Sequence, residues 1–218
     1  SAALAENGKV LTAFTADNGL THSEILLSMA EDVCARTGTA LGDVDLYAVT
    51  VGPGSFTGVR IGVAAAKGLA WGGEIPMYSV STLEAMARGL GIHSGIVCPV
   101  MDARRKQVYN GLFRFECGNC TRIREDRAIS IEDLGKDLQN FDEPVFLVGD
   151  GAVLCYNSLL EEIPALILPP EHKRHQRAVG AGLAALESVP CDPAAMSPNY
   201  LRLSQAERER NERLQKEK

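Results

Sequence analysis

With 218 residues, 45% of them hydrophobic and 23% charged, the chain has the makeup of a folded globular protein of one or two small domains. Its formal net charge of −6 argues against a nucleic-acid binder acting alone, because such footprints are basic and work by releasing counterions from phosphates. No run approaches the roughly 18 apolar residues of a membrane span and no basic segment leads into an apolar run, so a cytoplasmic location is expected.

Residues 1–17 read as a hairpin turning at Asn7 and Gly8, the pair that a tight two-residue turn with positive φ favours. The next segment, THSEILLSMAEDVCARTG, predicts a helix capped at Thr21 with Glu24 three residues on, stopping at Gly38. Ile25, Met29 and Val33 form one apolar row, Leu26, Ala30 and Cys34 a second, and Leu27 widens the stripe. That is more apolar surface than one sheet contact requires. A strand at LYAVTV then runs into the turn GPGSFTG and a helix of small residues to Trp71. The turn fails as a Walker A loop, since Val59 and Arg60 stand where Lys and a hydroxyl are needed, and as a nucleophile elbow, since Ser55 has Pro53 and Thr57 at the glycine positions.

Gly58, Gly62, Ala66 and Ala70 recur every four residues along that helix. Such a row permits close approach of another element. Each helical glycine costs about 1 kcal/mol relative to Ala, so Gly58, Gly62 and Gly68 call for a compensating contact, either with the chain's own sheet or with a partner's helix. Arg60 could bind a carboxylate or phosphate, with pairing inside its own domain as the plainer expectation.

Beyond Trp71 the α/β rhythm continues with a strand at MYSV and a helix at STLEAMARGL. From Gly91–Gly95 a second region begins: GIVCPVMDA is a buried strand, and QVYNGLFRFE and TRIREDRAI pair around a turn at Gly118 and Asn119. SIEDLGKDL is a capped helix, VFLVGDGA a strand reaching a glycine turn, AVLCYNSLLEEI an amphipathic helix, ALILPP a segment ending at a proline stop and HQRAVGAGLAALE a late helix. Two spots invite phosphate chemistry. Asp102 closes a strand, but Arg104 follows where a glycine would let backbone approach phosphate, and turn-amide bonding is the plainer role for the Asp. Gly149-Asp150-Gly151 is equally well a strand-to-helix turn. Cys117 and Cys120, with His172 and His175, have the composition of a zinc site but the spacing of a hairpin turn and a distant pair. Cys34, Cys98, Cys155 and Cys191 read as small core residues.

The segments HSEILLSMAEDV, VGPGSFTGVRIGVAAAKGLA, SVSTLEAMA, MDARRKQVYNGLF and NYLR, in this order along nearly the whole chain, resemble the TsaB (YeaZ) family. The resemblance implies an α/β fold of the actin, Hsp70 and sugar-kinase (ribonuclease H-like) type with two small domains, 1–92 plus 174–204 and 93–173, followed by a charged tail at 205–218. It implies a noncatalytic subunit that binds and activates the transferase TsaD in threonylcarbamoylation of tRNA adenosine 37. A TsaE-like ATPase would join through the complex, tRNA would be met only indirectly, and the chain alone would form a homodimer. It implies no cofactor or metal on this chain, with ATP or ADP confined to the assembled complex. The expected partner face comprises His22, Ile25, Leu26, Met29, Val33, Gly58, Arg60, Gly62 and Ala66. The family's first strand, with its phosphate loop, is expected to be missing from the sequence given. An actin-like ATPase is the alternative function, and a peptidase a weaker one, for want of a nucleophile elbow, an HExxH motif or a triad.

Overall fold

A computed structural model describes residues 1–17, 19 and 22–202; Thr21, the side chain of His22 and the tail at 205–218 lie outside the described residues. Asn7 and Gly8, with φ of 51° and 76°, turn strand β1 (Ala2–Glu6) into β2 (Lys9–Phe14) as an antiparallel pair. Helix α1 (His22–Ala35) follows. The parallel strands β3 (Tyr47–Gly52) and β4 (Met77–Ser81) are joined by helix α2 (Phe56–Trp71). Among the described residues these four strands make two separate two-stranded sheets.

Alternation along β3 and β4 sets the layers. Val49 and Val51 face α2, where Val59, Val63 and Ala70 join Ile75, Met77 and Met196 in one cluster. Ala48, Tyr78 and Val80 face the other way, toward Ala181, Ala184 and Ala185 of helix α7 (Ala178–Ala185), as a period of two requires. Helix α3 (Thr82–Leu90) starts at Ser81, whose hydroxyl accepts the Glu84 N–H at 3.2 Å, and stops at Gly91 in the left-handed region. Beside it runs α7, and at their crossing a Cβ on Gly180 would lie 1.9 Å from the Ala85 carbonyl oxygen.

The second region is a five-stranded sheet in the order β7-β6-β5-β8-β9, built from β5 (Gly95–Asp102), β6 (Gln107–Glu116), β7 (Asn119–Ser130), β8 (Val145–Val148) and β9 (Leu166–Ile167). Helices α4 (Ile131–Leu138) and α5 (Ala152–Leu159) bury Leu134, Leu138, Cys155 and Leu159 against Ile96, Cys98, Val108, Leu112 and Leu147. The opposite face packs Val97, Phe113, Phe115 and Val148 on α3. Helix α3 is therefore shared by both regions. The short helix α6 (Glu171–Arg174) leads into α7.

Two local expectations shift. The β6–β7 turn centres on Cys117 and Gly118, with φ of 51° and 83°, and Asn119 already belongs to the strand; the hairpin needs two positive-φ residues, and the glycine takes the second place. Helix α2 starts two residues before Gly58, because the Ser55 hydroxyl accepts the Gly58 N–H and caps it.

Candidate protein-interaction surface

Helices α1 and α2 lie against each other, α1 over the β1–β2 pair and α2 over β3. On α1, Ile25, Leu26 and Met29 are half-buried and Leu27 is 50% exposed. Val33, expected at the partner face, is buried at 2% exposure. It lies on the inward side of the helix, so it supports the face from beneath rather than forming it.

The small-residue row of α2 divides. An α-helix advances about 100° per residue, so a spacing of four drifts by about 40° at each step. Ala70, at the far end, is fully buried, and Ala66 packs half-buried on the same core cluster. Gly58 is half-buried, and a Cβ built on Gly62 would meet nothing within 4 Å among the described residues. Close contact with the chain's own sheet thus explains the end of the row but not Gly62. Gly68 is likewise open.

The other flank of α2 carries a constellation that periodicity does not disclose. Phe56 stacks on Tyr200 with ring centroids 4.9 Å apart. The Arg60 guanidinium lies 3.7 Å from the Phe56 centroid, and its Nε–H donates to the Tyr200 hydroxyl oxygen at 2.7 Å. Phe56, Arg60 and Tyr200 are all exposed. Arg60 pairs with Tyr200 but not in the expected salt bridge: among the described residues it has no carboxylate partner. Tyr200 is delivered by the chain after α7, which is tied down along its course. Cys191 pairs with Met77, Lys67 Nζ donates to the carbonyls of Ala194 and Met196, Asn199 N–H donates to Val51 O at 2.7 Å, and Arg202 Nη1 donates to Ala103 O at 2.8 Å. Only the sequence NYLR pointed here, and without a role for its tyrosine. Trp71, at the end of α2, is 73% exposed.

The two phosphate-like spots are occupied by the chain's own turns. Asp102 Oδ1 accepts the Arg104 N–H at 2.7 Å, ordering a turn in which Arg104, Arg105 and Lys106 all have positive φ. Gly149 (φ 102°) and Gly151 sit against β5: a Cβ on Gly149 would lie 2.2 Å from Val100 O, and the Gly151 N–H donates to that same oxygen at 3.1 Å. Close approach to a strand thus accounts for both glycines. Ser55 is engaged in the helix cap. Among the described residues no cluster of three or more His, Cys, Asp or Glu side chains has metal-holding geometry, and no helix is long and apolar enough to cross a membrane. Burial raises the thiols of Cys98 and Cys155, the latter to about 12, as befits core residues.

The two halves are clamped around α3. Glu84 receives Arg88 Nε at 2.9 Å and Arg122 Nη2 of β7 at 2.8 Å, while Arg122 also pairs with Asp126, which in turn accepts the Ser81 hydroxyl. Arg88 further grips Glu187, just past α7, with two bonds of 2.8 and 2.7 Å. Burial opposes the charge on Arg88, but Glu187 and Glu84 hold it above its ordinary range.

A family model described as "TsaD: tRNA N6-adenosine threonylcarbamoyltransferase" matches residues 17–148. A tRNA threonylcarbamoyladenosine biosynthesis protein TsaB of Bacillus subtilis (strain 168) is 34% identical over 167 residues, covering 76% of this chain and 72% of the relative. The protein of the same description from Escherichia coli (strain K12) is 47% identical over 90 residues, 40% of this chain and 39% of that one. Among solved structures, an uncharacterized Pseudomonas aeruginosa protein with similarity to peptidase YEAZ superposes with a TM-score of 0.77 at 27% identity, over 92% of this chain and 93% of that one.

Proposed function

The chain belongs to the TsaB (YeaZ) family, and we propose that it serves tRNA threonylcarbamoyladenosine biosynthesis as a noncatalytic subunit that docks on and activates a TsaD-type transferase through α1 and α2. The observation that carries this reading is the open flank at Gly62. A helical glycine with no neighbour among the described residues where its side chain would be gives up helix stability without a compensating contact there, and a partner helix brought to that flank supplies one. The half-buried Ile25, Leu26 and Met29 on the adjacent α1 extend the same surface. His22 and Gly58 belong to it by position, and Arg60 borders it from the other flank at the start of α2. Val33 and Ala66 contribute from below.

Two further features agree. The net charge of −6 suits a subunit that leaves the polyanion to its partners. The turns at Asp102 and Gly149–Gly151 are engaged with the chain's own backbone, which favours ATP being held, if anywhere, in the assembled complex. In isolation the same surface serves two copies around a two-fold axis, and a TsaE-type ATPase joins through the complex.

Titration calorimetry with the organism's own TsaD tests the assignment through Gly62→Leu. The free variant folds, and its monomer is no less stable than the wild-type monomer, because leucine is the better helix former and its Cβ meets open space among the described residues. Its affinity for TsaD falls at least thirtyfold, since the bulky side chain occupies the contact. A stable variant that binds with unchanged affinity would sink the assignment of the face.

A further inference from the structure

Arg60 is the feature of the surface that the chain's own structure leaves unfinished. Part of its head group is employed: the guanidinium lies 3.7 Å from the Phe56 ring centroid, and Nε–H donates to Tyr200. Its two terminal nitrogens have no hydrogen-bond partner among the described residues, and the residue is exposed. A free surface arginine samples many rotamers, whereas this one is held by two aromatic rings at one end of α2. Fixing the side chain in advance removes much of the entropy that an arginine loses on binding. A planar fork with two free N–H₂ groups matches a carboxylate with two oxygens, and such pairs are among the stronger charge-assisted hydrogen bonds.

We propose that Arg60 is a preset anchor for an aspartate or glutamate side chain of the partner subunit, with Phe56 and Tyr200 as its positioning residues. This rests on the docking role given above and adds the chemistry of the partner: its docking helix carries an acidic residue that reaches the start of α2. Charge complementarity selects that occupant. In an overall acidic protein an unpaired, immobilised cation at the surface attracts an acidic group and repels a basic one. Tyr200 also makes the segment after α7 part of the interface, because without that segment the Arg60 Nε–H loses its acceptor and the Phe56 ring loses its stacking partner.

The experiment is calorimetric binding of purified TsaD to the wild type and to Arg60→Lys, Arg60→Glu, Tyr200→Phe and Gly62→Leu, at two salt concentrations, with the melting temperature of each variant as the folding control. Arg60→Lys should bind ten- to a hundredfold more weakly although the charge is kept, because the fork is lost. Arg60→Glu should bind more weakly still and lose part of the salt dependence. Tyr200→Phe keeps the stack and loses the hydroxyl acceptor, for a three- to tenfold loss. Reversing the charge of the matching acidic residue on TsaD should restore the affinity of Arg60→Glu.

If Gly62→Leu abolishes binding while folded Arg60→Glu binds like the wild type, the anchor is overturned and the docking role stands. If both variants bind like the wild type, or the wild type forms no complex, both are overturned. If Arg60→Glu spares TsaD affinity but weakens ATP binding by the complex, the arginine reads a phosphate, and the carboxylate assignment is wrong.

Discussion

Two glycine-bearing helices in this molecule meet opposite surroundings. At the α3–α7 crossing, Gly180 is pressed so close that its missing side chain would collide with the Ala85 carbonyl, and a Cβ on Gly89 would lie 3.6 Å from the Gly180 Cα. On α2, Gly62 and Gly68 face open space. The first glycine is needed for the chain to close on itself. The second touches nothing among the described residues at its side-chain position, and the proposed docking would give it a neighbour. Glycine spacing alone therefore says nothing about which contact is internal; what decides is whether the neighbour is already present.

The comparison can be broken at either end. The largest effect is expected at the crossing: Gly180→Ala forces α3 and α7 apart and should destabilise by about 3 kcal/mol, the upper range for overpacking, seen as a fall in the urea midpoint. Next comes Gly62→Leu, with its expected loss of TsaD binding in a protein that is no less stable. If Gly180→Ala were as harmless to folding as Gly62→Leu, the distinction between the two sites would collapse. Smaller gains sharpen it: Gly62→Ala and Gly68→Ala should each stabilise the free chain by about 0.5–1 kcal/mol, through helix propensity alone.

The smallest effect is electrostatic and belongs to the same crossing. Arg88 holds the Glu187 carboxyl below its ordinary range by hydrogen bonding, against a little burial. A lowered folded-state pKa means stability that is present above the unfolded value, near 4.5, and lost as the pH falls through the folded one. Since Glu187 is largely exposed, Glu187→Gln should cost under about 1 kcal/mol at pH 7. The difference should shrink progressively in denaturant melts as the pH is taken below 4.5.

Much of the fold was legible because its signals are local. Asn7-Gly8 specified a hairpin, SIEDLGKDL a capped helix, Gly38 a helix stop, GIVCPVMDA a buried strand and VFLVGDGA a strand ending at a glycine turn. The β6–β7 turn was misplaced by one residue because Cys117 accepts a positive φ that its residue type does not advertise. The candidate surface was only half legible. Spacing located the row on α2, but a drift of about 40° per step decides which of its members reach the core, and this separates Gly62 from Ala66. Val33 turned inward for the same reason. Gly180 drew no attention inside an alanine-rich helix, although it is the more constrained glycine. The Phe56–Arg60–Tyr200 stack was illegible because it joins residues 140 positions apart, beyond the reach of any periodic pattern.

That separation also imposes an order of events. Loop closure grows costlier with length, and contacts between distant residues form late in folding. Helices α1 and α2 can be complete while the second sheet is still being made, yet Arg60 acquires its hydroxyl acceptor only after Tyr200 has been synthesised and the segment carrying Asn199 and Arg202 has seated. A nascent chain therefore exposes the helices before it owns the finished arginine clamp. On the docking role proposed above, full-strength binding would then need a polypeptide that has folded through Arg202.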